Sequence, residues 1–241
     1  MTRIYTDDET LRVGQRVVLG KAPSNHIAKV LRMRVGEAIV LFNGDNSDYV
    51  ATLVETKGNV VAEIEQQNTS IAESPLHITL AQGISRSDRM DYTIQKSVEL
   101  GISSIQPLIT VKSNFKLDPD RVAKKLRHWR AVVISACEQC GRSVIPALAE
   151  PVQLGAWINE LTTDSIAYVL DPTAAHSLSE KANNQATTIV VGPESGFSTD
   201  ELNSLAEANI QRVHLGPRVL RTETAASTAI TILQSKFGDL S

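Results

Sequence analysis

The feature that most constrains the fold is a change of pattern at residues 73–75, where the chain runs Glu-Ser-Pro. Before this point, short β-branched segments are separated by glycine turns. After it, apolar segments of strand and helix length alternate. The first pattern is typical of a small β-barrel, and the second of a mostly parallel sheet covered by helices. The sequence therefore predicts two domains, residues 1–72 and residues 73–241.

The first domain is predicted to contain four strands and one helix, the helix at residues 23–33. The strands are residues 15–19, 37–43, 49–56 and 60–65. Turns with the sequences Asn-Gly-Asp and Lys-Gly-Asn separate the last three strands. Small barrels often present nucleic-acid-binding surfaces, although that link is an analogy at the level of the fold.

The second domain is predicted to alternate strands with helices, which is the α/β class with helices on both faces of the sheet. The predicted strands are residues 76–82, 105–108, 166–170, 188–191 and 213–215. The predicted helices are residues 89–100, 119–140, 152–161, 199–208 and 223–237. Gly101 and Gly238 are predicted to end two of these helices.

The composition excludes several classes of protein. With 241 residues and 42% hydrophobic content, the chain fits neither a disordered protein nor a fibrous repeat. No apolar run approaches the about 18 residues of a membrane span, and the first ten residues lack an apolar signal core. We expect a cytoplasmic protein with no membrane partner.

Cys137 and Cys140 form a C-x-x-C pair, a spacing found in metal and redox sites. Both fall on the apolar stripe of the helix predicted at residues 119–140. The only histidine within twelve residues is His128, and the sequence has no second C-x-x-C. We therefore predict core packing for both cysteines and no bound metal.

The net charge of -3 is unevenly distributed. Residues 86–142 hold eleven Lys and Arg against six Asp and Glu, whereas residues 143–241 hold five against eleven. The first segment can present a basic face to a nucleic acid. The alternative is a solvated helix, because several basic residues fall largely on its polar side: Arg121, Lys124, Lys125 and Arg127. Charge alone leaves both interpretations open.

Ligands of an open α/β sheet bind beyond the carboxyl ends of its strands, so the loops there are the candidates for chemistry. Three loops stand out: residues 170–172, 192–197 and 215–226. In the second loop, Gly192 and Gly196 flank Glu194, which indicates close backbone approach beside a hydrogen-bond acceptor. The loop has neither a P-loop lysine nor a G-x-G-x-x-G pattern, so a site for a nucleoside triphosphate or an ordinary dinucleotide is not supported.

Arg221 is the residue of the third loop that local structure does not explain. Thr222 or Thr224 can cap the following helix, and Glu223 suits its positive N-terminal end. A guanidinium at that end opposes the helix dipole. We therefore expect a partner for Arg221, either Glu223 or Glu194 in the protein or an oxygen of a ligand.

These loops and several other segments follow the pattern of a known family. The loop segments are Gly-Pro-Glu-x-Gly from Gly192 and Leu-Gly-x-x-x-Leu-Arg-x-Glu-Thr-Ala from Leu215. Other segments in the expected order include His-Ile-Ala-Lys-Val-Leu-Arg from His26, Gln-Lys-Ser-Val-Glu-Leu-Gly from Gln95 and Glu-Gln-Cys-x-Arg from Glu138. The set resembles the SPOUT superfamily of S-adenosylmethionine-dependent RNA methyltransferases. More narrowly, nearly the whole chain resembles the RsmE family, which methylates N3 of a uridine in small-subunit (16S) ribosomal RNA.

The resemblance implies a PUA-like N-terminal domain that helps to hold RNA, and a SPOUT methyltransferase domain threaded into a trefoil knot and active as a homodimer. The implied partner is 16S rRNA or the small ribosomal subunit. The implied cofactor is S-adenosyl-L-methionine, and the matching positions are Leu170, Gly192, Glu194, Gly196, Leu215, Gly216 and Leu220. Ser195 departs from the family, which usually has glycine there. A serine will be strained if that position requires a positive φ.

Uridine N3 must lose a proton before it is a good nucleophile, so the site needs a proton acceptor and a group that stabilises negative charge on O2 and O4. We assign to Arg221 either the stabilisation of that charge or the binding of the adjoining phosphate. We assign the proton acceptance to Glu223 or Glu194, directly or through water. The predicted RNA contacts are Arg3, His26, Arg32, Arg86, Arg89, Lys96 and Arg142. Two alternatives remain open: a related SPOUT methyltransferase that acts on another base or on a ribose, and an RNA-binding homologue without catalysis.

Overall fold

The computed structural model describes residues 1–113, 115, 118–161 and 165–240. The chain divides into two compact units. The first unit comprises Met1–Glu73 and Ile134–Ile145, and the second comprises Ser74–Val133 and Pro146–Ser241. The first unit thus includes a segment far along the chain, which a boundary drawn from sequence pattern does not include.

In the described part of the chain, a five-stranded sheet forms the first unit. Its strands are β1 Thr2–Tyr5, β2 Arg16–Val18, β3 Ala38–Phe42, β4 Ser47–Glu55 and β5 Val61–Thr69. Their order is β1-β3-β4-β5-β2, with β1 parallel to β3 and the other neighbours antiparallel. The four predicted strands are confirmed. Sequence pattern does not predict β1, because Ile4 is its one buried residue and a single buried position cannot show the alternation of buried and exposed residues that marks a strand.

The predicted helix of the first unit is observed in two parts, α1 Lys21–Asn25 and a π-helical segment His26–Leu31. Ser24 anchors it, because its Oγ donates to the Leu19 carbonyl at 2.9 Å and accepts from the Val60 N–H at 3.0 Å. The segment ends at Arg32, whose φ of 54° is left-handed. Short π-helical turns are frequent at functional sites.

Among the described residues, a parallel seven-stranded sheet forms the second unit. Its strands are β6 Ile78–Gly83, β7 Ser104–Ile109, β8 Ala147–Leu148, β9 Val152–Gln153, β10 Ile166–Leu170, β11 Thr187–Val191 and β12 Gln211–Val213. The order is β12-β10-β11-β6-β7-β8, and β9 also pairs with β7. The pairs are parallel, so the strands end at one edge of the sheet. The five predicted strands are present, the last two residues earlier than predicted.

The helices are α2 Ser87–Glu99, α3 Pro119–Cys140, α4 Leu154–Glu160, α5 Leu178–Lys181, α6 Thr199–Glu207 and α7 Thr222–Phe237. Trp157 of α4 and Leu205 of α6 pack on Ala81, Val169 and Val190 of the sheet. Successive residues of a strand point to opposite faces of the sheet, so the neighbours of these residues lie on the other face. Helix α7 contacts the strands β6 and β11. The other sheet face is buried as well, through Leu80, Tyr168 and Ile189. The prediction of helices on both faces is confirmed.

The sequence pattern places the boundaries of the predicted helices within two residues of those observed, and the differences have local causes. The helix predicted from residue 152 starts at Leu154 because the two preceding residues pair with β7. The four-residue α5 is too short to show periodicity. Gly101 follows α2 with a φ of 82°, and Gly238 caps α7, so both predicted helix ends are confirmed.

The two cysteines differ in burial. Cys137 is fully buried, and burial raises the pKa of its thiol to about 12, so it is inert. Cys140 is only half-buried, so the prediction that both lie in the core is wrong for Cys140. In the part of the chain that the structure describes, no three His, Cys, Asp or Glu side chains are grouped to hold a metal ion. Over the same residues, no helix is long and apolar enough to cross a bilayer.

Candidate functional site

Three loops meet where the neighbouring strands β12, β10 and β11 end. They enclose a cavity of about 550 Å³, lined by residues 170–172, 191–197, 213–216 and 218–222 together with Arg89, Leu202 and Ala225. We call it the three-loop cavity. It contains all seven positions that the sequence predicts to bind cofactor: Leu170, Gly192, Glu194, Gly196, Leu215, Gly216 and Leu220. These positions are as much as 50 residues apart in the chain, from Leu170 to Leu220, and sheet order brings them together.

Two glycines allow the loop after β11 to pack against its own protein. A Cβ at Gly83 would lie 2.6 Å from the N and Cδ atoms of Pro193, too close for any side chain. A Cβ at Gly192 would lie 3.2 Å from the Cα of Gly196. The close backbone approach that the sequence indicates at Gly192 is therefore a contact within the chain, with Gly196 of the same loop. Sequence reasoning missed Gly83, because nothing near it in the chain points to Pro193.

The unusual backbone of this loop falls on glycine. Gly196 has a φ of 65°, whereas Ser195 is not among the residues with positive φ. Ser195 is therefore free of the strain considered for it. Lys112 holds the loop, because its Nζ donates to the carbonyl oxygens of Ser195 at 3.1 Å and Phe197 at 3.0 Å. In return, the Ser195 Oγ donates to the Lys112 carbonyl at 3.3 Å.

Thr222 joins the start of α7 to two other elements. Its Oγ1 donates to the Gly192 carbonyl at 2.7 Å and accepts from the Gln82 Nε2 at 2.9 Å. Thr222 and Gln82 are both buried. The N-cap of α7 is Arg221, and no side chain caps the helix. The expectation that Thr222 or Thr224 caps α7 is therefore wrong, since Thr222 bonds to a distant carbonyl instead.

Arg221 lies on the three-loop cavity with an exposed side chain. Across residues 1–113, 115, 118–161 and 165–240, no carboxylate oxygen lies within 4.0 Å of its guanidinium. Neither of the two protein partners considered for it, Glu223 and Glu194, forms this pair. A guanidinium that opposes a helix dipole without a protein partner is available to a ligand.

The two glutamates have different surroundings. Glu194 lines the cavity, and its Oε1 accepts from the Arg86 backbone N–H at 2.9 Å and lies 3.6 Å from the Arg89 Nη1. Glu223 does not line the cavity, and its Oε2 is buried with no hydrogen-bond partner in the described residues. Glu194 is therefore the better placed of the two to reach a ligand in the cavity, whereas Glu223 has the carboxylate oxygen without a hydrogen-bond partner among the described residues.

Asp171 is a buried carboxylate on the cavity wall. It accepts from the Thr173 N–H at 2.8 Å and from the Arg212 Nε at 2.7 Å. Burial acts to raise the pKa of Asp171, but the hydrogen bonds from Thr173 and Arg212 outweigh it and lower the pKa below the usual range. The pair ties the end of β10 to β12, which fixes two of the three loops.

Comparison with known proteins supports one family over the whole length. The family model for an RNA methyltransferase domain matches residues 72–234, and that for an RNA methyltransferase PUA domain matches residues 22–65. Ribosomal RNA small subunit methyltransferase E of Buchnera aphidicola subsp. Schizaphis graminum is 36% identical over 96% of this chain and 95% of its own. The chain belongs to the RsmE family of ribosomal RNA small subunit methyltransferases.

Solved structures agree with this assignment. An RsmE from Neisseria gonorrhoeae bound to S-adenosyl methionine is 38% identical, covers 100% of both chains and has a TM-score of 0.93. A Legionella pneumophila protein, solved in complex with the cofactor SAM, is 40% identical over 99% of both chains, with a TM-score of 0.94. The predicted family and fold, an α/β methyltransferase domain preceded by a PUA-like domain, are confirmed.

In this RsmE family member, the predicted RNA contacts of the first unit divide into two kinds. His26 and Arg32 are exposed on and just after the π-helical segment. Arg3 instead makes two 2.9 Å hydrogen bonds to Asp48, and Arg142 bonds to Glu73 at 2.6 Å. Only 13% and 5% of these two arginine side chains are exposed. Their burial argues against the RNA contacts predicted for them and gives them a structural role.

The predicted RNA contacts of the second unit are more accessible. Arg86 is exposed, and Arg89 is partly exposed beside Glu194. Lys96 is bound to Glu99 at 2.8 Å within α2. Of these three side chains, Arg86 is the one without a carboxylate within 4.0 Å in the described ranges.

Proposed function

We propose that this chain transfers a methyl group from S-adenosylmethionine to N3 of a uridine in small-subunit (16S) ribosomal RNA. The observation that carries the proposal is the three-loop cavity with the unpaired Arg221 at its wall. The names of the full-length relatives support the class of RNA. The cofactor in the Neisseria structure supports the methyl donor.

The three-loop cavity has the size and chemistry for this cofactor. Its about 550 Å³ lies in the range of small-molecule sites, about 300–1,000 Å³. Leu170, Leu215 and Leu220 offer apolar surface, and the loops from Gly192 and Gly216 offer backbone N–H and C=O groups. When bound, S-adenosylmethionine supplies a methyl group activated by a positively charged sulfur. The chain's task is to hold the uridine N3 in line with that group.

Arg221 acts on the substrate in this proposal. Loss of the N3 proton spreads negative charge onto O2 and O4 of the uracil ring, and a guanidinium placed beforehand stabilises that charge. Arg221 suits this role because no carboxylate of the described residues lies close enough to neutralise it. Its backbone is fixed because it is the N-cap of α7 and precedes Thr222, whose Oγ1 donates to the Gly192 carbonyl.

The proton from N3 goes to Glu194 or Glu223, directly or through water. Glu194 is our first choice because it lines the cavity, and Arg86 and Arg89 orient it. Replacement of each glutamate by glutamine distinguishes the two. The acceptor's variant should lower kcat by about a hundredfold or more, and the other variant should lower it much less.

We further propose that residues 1–72 form a PUA-like domain that holds RNA and that residues 73–241 form the catalytic domain. His26, Arg32 and Arg86 are the first candidates for phosphate contacts, and the paired Arg89 and Lys96 rank below them. A homodimer, a trefoil knot in the second domain and a cytoplasmic location belong to the same proposal. Light scattering of the purified protein tests the dimer, since a mass of one chain would contradict it.

The deciding experiment is mass spectrometry of ribosomal RNA from a strain that lacks the gene. We expect the N3-methyluridine of the small-subunit RNA to disappear and to return on complementation. An unchanged signal would refute the proposal, and loss of a different modification would assign another target. Calorimetry with S-adenosylmethionine tests the cofactor independently, since a folded protein that does not bind it would be an RNA-binding homologue without catalysis.

A further inference from the structure

A second cavity lies beside the first, where the strands β6 and β7 end. It has a volume of about 460 Å³. It is lined by residues 84–87, 89, 112, 113 and 115, by one face of α3 and by residues 193–195. We call it the α3 cavity. Arg86 and Arg89 of its lining are among the predicted RNA contacts, and its residues are spread over more than 100 positions of the sequence.

The α3 cavity carries an excess of positive charge. Its lining includes one carboxylate, Glu194, and five basic side chains: Arg86, Arg89, Lys112, Arg121 and Lys125. Arg89 is paired with Glu194. Over the described parts of the chain, the other four have no carboxylate oxygen within 4.0 Å. Uncompensated cations that converge on a concave surface concentrate anions there.

Aromatic rings hold two of these cations in place without neutralising them. Arg121, Lys125 and Trp129 are spaced four residues apart and share one face of α3. The Arg121 guanidinium lies 5.5 Å from the centre of the Phe115 ring, and the Lys125 Nζ lies 5.9 Å from that of Trp129. Lys125 Nζ also donates to the Ser87 Oγ at 2.7 Å, which directs it to the loop after β6. The charges are thereby positioned and remain available.

Two buried polar atoms of the lining residues lack partners among the described residues. These are the Nε1 of Trp129, a side chain only 1% exposed, and the Oγ of Ser85. A buried donor without a partner usually indicates that a ligand or water completes the site.

The two cavities share a wall. Arg89, Pro193, Glu194 and Ser195 line both of them. Lys112, from the α3 cavity, holds this wall through the carbonyls of Ser195 and Phe197. A group in the α3 cavity is therefore one loop away from a group in the three-loop cavity.

We propose that the α3 cavity binds a nucleotide of the RNA substrate through its phosphate, next to the nucleotide that is methylated. The inference rests on the proposed function for the identity of the RNA. Phosphate is the anion that suits Arg and Lys side chains arranged in this way. The cavity thus positions the strand so that the target uridine reaches the methyl donor.

The helix offers matched controls. Lys124 and Arg127 carry the same charges as Lys125 and Arg121 on the same helix, but neither lines either of the two cavities. Replacing Lys125 or Lys124 by alanine changes the net charge equally. A general electrostatic effect would weaken RNA binding equally in both variants. A phosphate site in the cavity would weaken it only in Lys125→Ala.

The first experiment measures binding of a transcript of small-subunit rRNA to four full-length variants. We expect Arg121→Ala and Lys125→Ala to weaken binding about tenfold, and Lys124→Ala and Arg127→Ala less than about twofold. The slope of log affinity against log salt should fall by about 0.7 for each lost phosphate contact in the cavity variants. Equal losses in all four variants would overturn the proposal. Lys125→Gln, which keeps the stem of the side chain, replaces any alanine variant that circular dichroism shows to be unfolded.

The second experiment uses Trp129 as a reporter and does not depend on methylation. The chain has two tryptophans, so Trp157→Phe leaves the fluorescence of Trp129 alone. Titration with uridine 5′-monophosphate should quench it, and Lys125→Ala should weaken the quenching at least about fivefold. Quenching that is unchanged in Lys125→Ala, or absent, would overturn the proposal.

The two experiments separate this inference from the proposed function. If rRNA from the deletion strain keeps its N3-methyluridine while Trp129 still reports the nucleotide, the function fails and the nucleotide site stands. If the monophosphate binds but rRNA affinity does not distinguish Lys125 from Lys124, the cavity holds a free nucleotide, and the assignment to RNA is overturned.

Discussion

The two compact units use their basic side chains in opposite ways. In the first unit, Arg3 and Arg142 are largely buried, and each is bonded to a carboxylate. In the second unit, Arg221 and Arg121 lie on cavities, and no carboxylate of the described residues is within 4.0 Å of either. Paired and buried guanidiniums contribute to the fold, whereas unpaired ones on a concave surface are available to an anion.

Each unit also contains an exception, and the exceptions make the comparison testable. Arg212 of the second unit is paired with Asp171. Arg32 of the first unit is exposed, and no carboxylate of the described residues lies within 4.0 Å of it. If pairing with a carboxylate determines the role of an arginine, Arg212 should contribute to stability and Arg32 to RNA binding. If the unit in which the arginine lies determines its role, Arg212 should contribute to RNA binding and Arg32 to stability.

The largest effect is expected for the unpaired Arg221. Arg221→Ala should lower the rate of methyl transfer to small-subunit rRNA by about a hundredfold to a thousandfold, because it removes charge stabilisation in the transition state. It should leave the dissociation constant of S-adenosylmethionine within about threefold. Single-turnover methylation and calorimetry measure the two quantities. Arg127→Ala is the control, and a fully active Arg221→Ala would remove this residue from the mechanism.

The next effect concerns the paired Arg142. Arg142→Ala should lower the free energy of unfolding by about 3 kcal/mol, because it leaves the carboxylate of Glu73 without its cation. Urea denaturation measures it, with Arg32→Ala as the exposed control. An unfolding midpoint equal to that of the original protein would show that pairing in the first unit is not structural.

A smaller, pH-dependent effect is expected for the pair of Asp171 and Arg212. Asp171→Asn should lower the free energy of unfolding at pH 7 by about 1.5 kcal/mol through loss of charged hydrogen bonds. The folded pKa of Asp171 is below its unfolded value, so its contribution is fully present above about pH 4 and is lost as the pH falls through the folded pKa. Urea midpoints between pH 7 and pH 3 should therefore converge for the two proteins. A difference that stays constant over this range would contradict the assigned role.

The smallest effect is expected for Arg32. Arg32→Ala should change the free energy of unfolding by less than about 0.5 kcal/mol, because the side chain is exposed. It should weaken rRNA binding about threefold and lower the salt slope by about 0.7, the value for one single-strand phosphate contact. Filter binding at several salt concentrations measures both. Unchanged binding would confine the RNA surface to the second unit.

Local sequence pattern predicted the elements whose signals are local. The alternation of Tyr49, Ala51 and Leu53 predicts β4, and the helical spacing from Val122 to Cys137 predicts α3. It did not predict β1, β8, β9 or α5, which are short or depend on a partner strand. The shift of the last strand to Gln211–Val213 has the same cause, because its pairing with β10 sets its register.

The sequence predicted the loops of the candidate site but not the residues that hold those loops in place. Glycines and unexplained charges mark residues 192–197 and 215–221 directly in the sequence. Gly83, Gln82 and Lys112 carry no such mark, because each is defined by a contact more than 80 residues away. The capping predicted for Thr222 was wrong for the same reason, since a distant carbonyl competes for its hydroxyl.

The sequence by itself determined the family, the two kinds of fold and the loops that meet at the three-loop cavity, because periodicity, turn residues and motif spacing are properties of neighbouring residues. The tertiary structure decided which charges are free. In the sequence, nothing distinguishes Arg3 and Arg142 from Arg221 and Arg121 as paired or unpaired charges. In the folded protein, the first two lie beside carboxylates and the other two line cavities. Whether a charge is compensated depends on distances of a few ångströms between residues far apart in sequence, and the fold alone sets those distances.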